Sequence, residues 1–459
     1  MGNNTTELLQ GETRDQVLCS LLNDELICAL GCTEPIAVAY ASALARRVLG
    51  VEPERLEVAC SGNIIKNVKS VTVPNSGGMR GVEAAAILGA VGGNADGALE
   101  VLQDVDDAQR ARTQELLKRD SYCDVTLIEN VPNLYIEIRA LAGGHVAEVA
   151  ISEHHTNVVR CTLDGIPADR ACPAARRDGG ATACSGECAH TAQAPVVSQE
   201  SAHVEGLTLS TILAFVKHGN IDAARSALER QINNNTRISQ AGLDEPWGAE
   251  VGRTLLATRG DDLPCVARAR AAAGSDARMS GCALPVVIVC GSGNQGITTC
   301  LPVVTYAREL GIEGDHLLRA LALSDLIAIH TKSYIGALSA FCGVVCAACG
   351  AGAAITWMRG GTDDQIGATI VNTLGNVGGI VCDGAKASCA AKISAAVDAA
   401  ILASDMALAG RGFRAGEGLV KDTVEQTIAS MGYVGRVGMK PTDVEILNIM
   451  IGKTNVEGC

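Results

Sequence analysis

Short apolar–polar alternations occur in one stretch of the chain only, roughly residues 55–165, and this segregation limits the fold more than any other feature. The runs L-E-V-A-C, S-V-T-V, C-D-V-T-L-I, L-Y-I-E-I-R-A, H-V-A-E-V-A-I and N-V-V-R-C-T-L have strand character. Side chains of a half-buried strand alternate between core and solvent, which is the pattern they show. The helical runs G-V-E-A-A-A-I-L-G-A-V and A-Q-R-A-R-T-Q-E-L-L-K-R lie between them, and the later strands predict an antiparallel meander. Residues 14–49 carry Val17, Leu18, Leu21, Leu22 and Leu26 at helical spacing, interrupted by Gly31-Cys32-Thr33-Glu34-Pro35. Proline suits the first turn of a helix, so Cys32 or Thr33 is placed near an N-cap. From 205 onward the chain is Ala-rich and helical, broken by glycine clusters.

The expected fold class is α+β. An α+β domain (51–165) is inserted between an N-terminal helical segment (1–50) and a large, mostly helical C-terminal domain (205–459) on which that segment packs. Residues 166–204 lack periodicity and read as a linker or insertion; Cys172, Cys184, Cys188 and His190 within it do not have the spacing of a strong zinc site.

A chain of 459 residues can bury a sizeable core, yet aromatics are 2% of the residues against 47% hydrophobic, so Ala, Val, Leu and Ile must build it. Scarce stacking platforms and a net charge of −14 exclude nucleic acid as the expected partner. The first ten residues have no basic or apolar signal region, which predicts a cytoplasmic protein; Gly2 and Thr6 loosely fit a myristoylation pattern, with no second membrane signal. The apolar run Gly336–Trp357 is long enough to span a membrane but is rich in Ala, Gly, Ser and Cys, which predicts a buried helix and no membrane partner. Nineteen cysteines, an odd number without regular spacing, do not resemble a disulfide scaffold. Most are expected to be small core side chains, with a few binding metal.

Two cysteine constellations stand out. Cys342, Cys346 and Cys349 form C-x3-C-x2-C, the spacing of clusters that cleave S-adenosylmethionine. Against that reading, the motif falls too late for a barrel to follow, Ala348 stands where an aromatic is usual, and the spacing equals one face of an apolar helix. In the second set Cys382 and Cys389 lie seven apart at a Gly-rich break entering an Ala-rich helix, with Lys386 nearby. A helix start and a cation both favour thiolate. A cluster there needs one further thiolate, which composition does not choose.

The segments A-L-G-C-T-E-P around Cys32, V-P-N-S-G-G-M-R-G at 73–81, G-S-G-N-Q-G at 291–296, L-S-A-F-C-G at 338–343 and I-V-C-D-G-A-K-A-S-C-A at 380–390 resemble the L-cysteine desulfidase family, which is related to the iron–sulfur L-serine dehydratases and shares their α-chain fold. They follow in the right order over nearly the whole chain. The resemblance implies that Cys342, Cys382 and Cys389 hold a [4Fe-4S] cluster with one open iron, that Cys32 is the proton acceptor, and that Cys346 and Cys349 are packing residues. It implies β-elimination of L-cysteine to hydrogen sulfide, ammonia and pyruvate through aminoacrylate. L-serine dehydration by the same cluster is the alternative, and a non-catalytic iron–sulfur sensor or a radical S-adenosylmethionine enzyme is a more distant one.

For substrate contacts the sequence offers two polar loops, Asn75-Ser76 and Ser292 with Asn294 and Gln295, although G-S-G-N-Q-G can also be read as a tight turn. It lacks the dinucleotide-binding spacing. His330 lies on an apolar helical run, as a core histidine or a catalytic one, and Asp383 either orients a ligand or caps a helix. No lysine has a Schiff-base context, which disfavours pyridoxal phosphate. The expected partner is a small amino acid, and a homo-oligomer is compatible with the sequence.

Overall fold

The computed structural model describes residues 11–168, 206–336 and 338–454. The N-terminal part runs α1 (Gly11–Glu25), β1 (Cys28–Leu30), α2 (Thr33–Leu49), β2 (Arg55–Cys60), α3 (Gly62–Val68), α4 (Gly81–Gly92) and α5 (Asp107–Leu116). Five strands follow: β3 (Cys123–Leu127), β4 (Tyr135–Ala142), β5 (His145–Ser152), β6 (Val158–Leu163) and β7 (Ile166–Pro167). The remainder is helical except for β8: α6 (Leu209–His218), α7 (Arg225–Asp244), α8 (Val251–Arg259), α9 (Leu263–Met279), β8 (Pro285–Val287), α10 (Gly293–Leu310) and α11 (Gly314–Ser333). It ends with α12 (Val344–Met358), α13 (Asp363–Val377), α14 (Cys389–Leu408), α15 (Val424–Tyr433) and α16 (Lys440–Met450). The fold is α+β with a helical C-terminal region.

The main sheet has the order β3-β2-β4-β5-β6-β7; β2 and β3 are parallel, and the other pairings are antiparallel, so β4 to β7 form the meander. In β4, Ile136, Ile138, Ala140 and Ala142 are buried, on the period of two that a one-faced strand requires. α2 packs on β4 and β5 and is itself backed by α4. The opposite face is ionic: Arg139 lies 2.5 Å from Glu57 and 3.0 Å from Glu148, and Arg160 pairs with Glu137 across the strands.

The sheet continues one strand beyond residue 165, because β7 extends into the segment read as an insertion; Cys172, Cys184, Cys188 and His190 lie outside the described residues. Fourteen cysteines are free thiols among the described residues, while Cys161 in β6 is disulfide-bonded, a use outside the core packing and metal binding expected from sequence.

In the C-terminal region α12 is buried over nearly its whole length, packed against α10, α11, α13 and α14. A Cβ on Gly350 would stand 2.0 Å from the Ser324 carbonyl oxygen, so glycine is what lets α11 and α12 approach. The apolar run 336–357 is therefore a loop followed by a core helix. Among the described residues no helix is long and apolar enough to cross a membrane.

The helical pattern of residues 14–49 is broken by β1, which pairs antiparallel with β8 in the register Cys28↔Val287, Ala29↔Val286 and Leu30↔Pro285. β1 leads into Cys32 and β8 into Ser292, so this two-stranded ribbon carries two distant polar turns to one place.

Candidate active site

Cys342 ends the loop entering α12, and Cys382 lies between α13 and α14. An isolated antiparallel bridge joins Phe341 to Val381, with Cys342 N–H donating to the Ile380 oxygen at 2.9 Å and Cys382 N–H to the Ala340 oxygen at 2.6 Å. The two thiols are thereby neighbours, and that of Cys342 donates to the sulfur of Cys382. Cys389, the first residue of α14, reaches the Gly384 oxygen at 3.8 Å and raises the Cys342 pKa by its charge.

The hydrogen bond from Cys342 brings the Cys382 thiol down to about 6 against the opposing effect of burial, aided by Lys66, the Gly384 N–H and Lys392. That bond pushes the Cys342 thiol well up, and burial adds to it. Burial also raises Cys389 despite its helix-start position, so desolvation outweighs the dipole expected to favour its thiolate. The glycine break allows a close approach: a Cβ on Gly384, whose φ is +94°, would stand 2.4 Å from the Lys66 oxygen, so it accommodates α3.

Lysines surround the sulfurs. Lys66, 2% exposed, pairs with Asp443 of α16, while Lys386 and Lys392 both pair with Asp383, whose carboxyl they hold down to about 2 against burial. Three sulfur donors ringed by cations suit a thiolate-held iron–sulfur cluster better than a hard, oxygen-seeking cation. Among the described residues no three His, Cys, Asp or Glu side chains form a single-ion metal site. Ligands of a cluster bind separate irons and need not meet at one ion, so the donor set fits the group that the resemblance implies.

Cys32 occupies the N-cap of α2 and forms a small buried cluster with Val71 and Met279, against which Ala385 and Cys389 pack. Its Sγ donates to Glu34 Oε2 at 3.1 Å. Glu34, itself buried, also accepts from Thr33 Oγ1 at 3.1 Å and Asn67 Nδ2 at 2.8 Å. Burial and the adjacent Glu34 charge push the Cys32 thiol well above its ordinary value. Burial opposes ionisation of Glu34, but His155, the Cys32 thiol and Arg278 outweigh it and lower its pKa. The resting pair is therefore thiol and carboxylate, rather than the thiolate a helix start would favour.

The Ser292–Gln295 loop is the start of α10, with Ser292 as N-cap. Its glycines serve close approach: a Cβ on Gly293 would lie 2.3 Å from Arg278 Nε, and one on Gly296 2.0 Å from the Val287 oxygen. Asn294 Nδ2 rests 3.7 Å from Met279 Sδ, beside Cys32, and Gln295 Nε2 donates to the Cys290 oxygen at 3.4 Å. The side chain of Gln295 lies against Gly343, where a Cβ would be 2.6 Å from its Cδ, so it borders Cys342. Asn294 Oδ1, Gln295 Oε1 and His155 Nε2 are buried without hydrogen-bond partners among the described residues. Buried acceptors left this way are expected where a ligand completes them.

Asn75 and Ser76 are engaged in their own loop. Asn75 Nδ2 donates to the oxygens of Leu102, Gln103 and Val105, Arg110 donates to its Oδ1 at 3.0 Å, and Ser76 Oγ donates to the Met79 oxygen. The loop still shapes the site, because a Cβ on Gly31 would meet Pro74 at 2.3 Å. His330 is buried in α11 with Nε2 2.6 Å from Glu425 Oε2, which ties α11 to α15. Cys346 and Cys349 are fully buried in α12, as packing residues are.

Sequence reasoning missed Glu34, Asn67, His155 and Arg278. Glu34 stood inside a quoted motif, whereas Arg278 is one of three arginines in the Ala-rich α9 and nothing in the sequence set it apart. His155 and Asn67 had no signal either.

The class of protein that this fold and site define is reached by comparison: residues 97–448 match the serine dehydratase alpha chain family, and the chain belongs to that family. The match includes Arg278 and the three cysteines of the 342–389 region but not Cys32 and Glu34. Similarity along nearly the full length is to proteins named UPF0597 protein. The one from Lachnoclostridium phytofermentans is 45% identical over 436 residues, covering 95% of this chain and 99% of that protein. Those from Desulfitobacterium hafniense and Finegoldia magna are 44% and 45% identical, covering 95% and 94% of this chain and 97% and 99% of theirs.

Proposed function

We propose that the protein is an iron–sulfur-dependent lyase that eliminates the β-substituent of L-cysteine, giving hydrogen sulfide and aminoacrylate, which hydrolyses to ammonia and pyruvate. The observation that carries this reading is the meeting of Cys342, Cys382 and Cys389 with a buried Cys32–Glu34 pair, through the contact of Cys389 with the Cys32 cluster. Cys342, Cys382 and Cys389 would hold a [4Fe-4S] cluster, which supplies, when bound, an open iron as a Lewis acid for the leaving group.

The protein's own part is proton movement and orientation. Cys32 Sγ faces the α-hydrogen and takes it as its own proton passes to Glu34 Oε2. The rest state holds that proton on sulfur, so transfer waits for a substrate to redistribute the local charge. Val71 and Met279 keep water from the sulfur. The unpartnered oxygens of Asn294 and Gln295 are suited to an α-ammonium group. These groups favour catalysis over a sensor, which needs neither a proton acceptor nor unmet polar groups beside the sulfurs.

The family name favours L-serine as a second reading. A soft thiol suits iron better than a hydroxyl, so cysteine is the expected substrate. The test is anaerobic reconstitution with iron and sulfide, followed by measurement of iron content, visible absorbance and pyruvate release from each amino acid. A brown protein that releases sulfide and pyruvate from L-cysteine supports the proposal. Colourless protein sinks it, and faster turnover of L-serine transfers the assignment to a dehydratase.

A further inference from the structure

Arg278, near the end of α9, is 2% exposed, and its only hydrogen bond among the described residues is from Nε to the Gly31 oxygen at 2.8 Å. Its charge reaches Cys32, Glu34 and His155, yet among the described residues no carboxylate stands within ion-pairing distance of it. Two other buried or half-buried cations near the site are paired, Lys66 with Asp443 and Lys392 with Asp383. An unpaired guanidinium under this much protein is destabilising through lost hydration unless an anion joins it.

We propose that Arg278 binds the α-carboxylate of the substrate and so restricts this site to free α-amino acids. The inference rests on the lyase reading given above. The four substituents of an amino-acid Cα explain the layout. With the α-hydrogen at Cys32 Sγ, the carboxylate must lie within one bond's reach of the same point, and Arg278 is held there by its bond to the oxygen of Gly31, the residue before Cys32. Asn294, held at Met279 one residue from Arg278, offers Oδ1 to the ammonium group. The β-carbon is then left to face Cys389, which packs against the Cys32 cluster.

The local backbone is arranged around this side chain. Gly293 has no Cβ to collide with Nε, and the Gly31 oxygen fixes Nε so that the two terminal nitrogens present a planar fork. That fork matches a carboxylate with two parallel hydrogen bonds, which a lysine does not reproduce. Lys332, 5% exposed, is the rival anchor, but its charge acts on Cys290 and Cys346, whereas that of Arg278 acts on Cys32 and Glu34.

The experiment compares reconstituted wild-type protein with Arg278→Lys, Arg278→Gln and Lys332→Gln. L-cysteine is the substrate, with L-alanine, cysteamine and L-cysteine methyl ester as competitors. Wild-type protein should bind L-alanine and discriminate strongly against cysteamine and the ester, both of which lack a free carboxylate. Arg278→Gln should raise KM for L-cysteine on the order of a hundredfold or more, as removal of one partner of a buried ion pair does, with iron content unchanged. Arg278→Lys should fall between, and Lys332→Gln should leave the discrimination intact. If the glutamine variant does not fold, the lysine variant and the wild-type competitor series decide.

Equal inhibition of wild-type protein by L-alanine and cysteamine overturns the inference, as does loss of discrimination in Lys332→Gln rather than in the Arg278 variants. Absence of turnover with binding of L-alanine that depends on Arg278 would overturn the lyase reading alone. Failure of wild-type protein to bind L-alanine overturns the inference itself.

Discussion

Cys32 Sγ lies 3.1 Å from Glu34 Oε2, two residues along the same helix start, and both side chains are buried. A thiol and a carboxylate at this distance share one proton that burial keeps on sulfur. Replacing Cys32 by Ser should abolish elimination and keep the iron. Glu34→Gln removes the proton's destination and should lower kcat roughly a hundredfold or more while changing KM little. Steady-state kinetics with iron determination checks both, and full activity in Glu34→Gln would remove Glu34 from the reaction.

Cys382 accepts the hydrogen bond of Cys342 and joins the two sulfur-bearing loops. Cys382→Ser should lose both colour and activity after reconstitution, whereas Cys346→Ala, a change inside α12, should retain iron at about the wild-type ratio. Iron and acid-labile sulfide per chain are the readouts. Wild-type iron content in Cys382→Ser would exclude it as a ligand.

Asp325 in α11 gives a pH dependence unrelated to the sulfurs. Burial raises its carboxyl to about 7, against the lowering effects of Gln231 and Thr299. Its folded-state pKa lies above the unfolded value, so between about pH 4 and 7 the native state holds the extra proton. Stability should therefore fall as pH rises through that window, and the full penalty is present above pH 7. Denaturant unfolding of cluster-free protein should show a steeper loss from pH 5 to 8 in wild type than in Asp325→Asn. Parallel pH profiles would contradict the assignment.

Asn75 is a structural residue by its bonds. Its φ is +52° and its amide holds three backbone oxygens of residues 102–105. Asn75→Ala should cost about 1–3 kcal/mol of stability by leaving those groups unmet, with KM for substrate near the wild-type value. Calorimetric melting alongside kinetics separates the two effects; a raised KM at unchanged melting temperature would restore Asn75 to substrate binding.

Part of this was legible in sequence because it is local. Strand alternation over 55–165 and the Ala-rich helices after 205 depend on short-range periodicity and formed, except that S-V-T-V at 70–73 is a turn with one isolated bridge from Thr72 to Arg80, too short a run to pair as a strand. The pairing of residues 380–382 with 340–342 was not legible, since a single bridge has no period. Cys346 and Cys349 show the same limit from the other side, where attractive spacing proved to be one buried face of α12.

The amino-acid sequence by itself determined the segregation of strands and helices, the glycine positions, and the soft donors available to a metal centre. Tertiary structure decided which of those donors meet and which polar groups stay unmet. A three-residue strand, β1, finds β8 more than 250 positions away and sets Cys32 beside Asn294 and Arg278. Burial then chooses the protonation of Cys32 and leaves Arg278 without an anion. Desolvation and ion pairing depend on what surrounds a side chain in space, so no window of neighbouring residues contains that information.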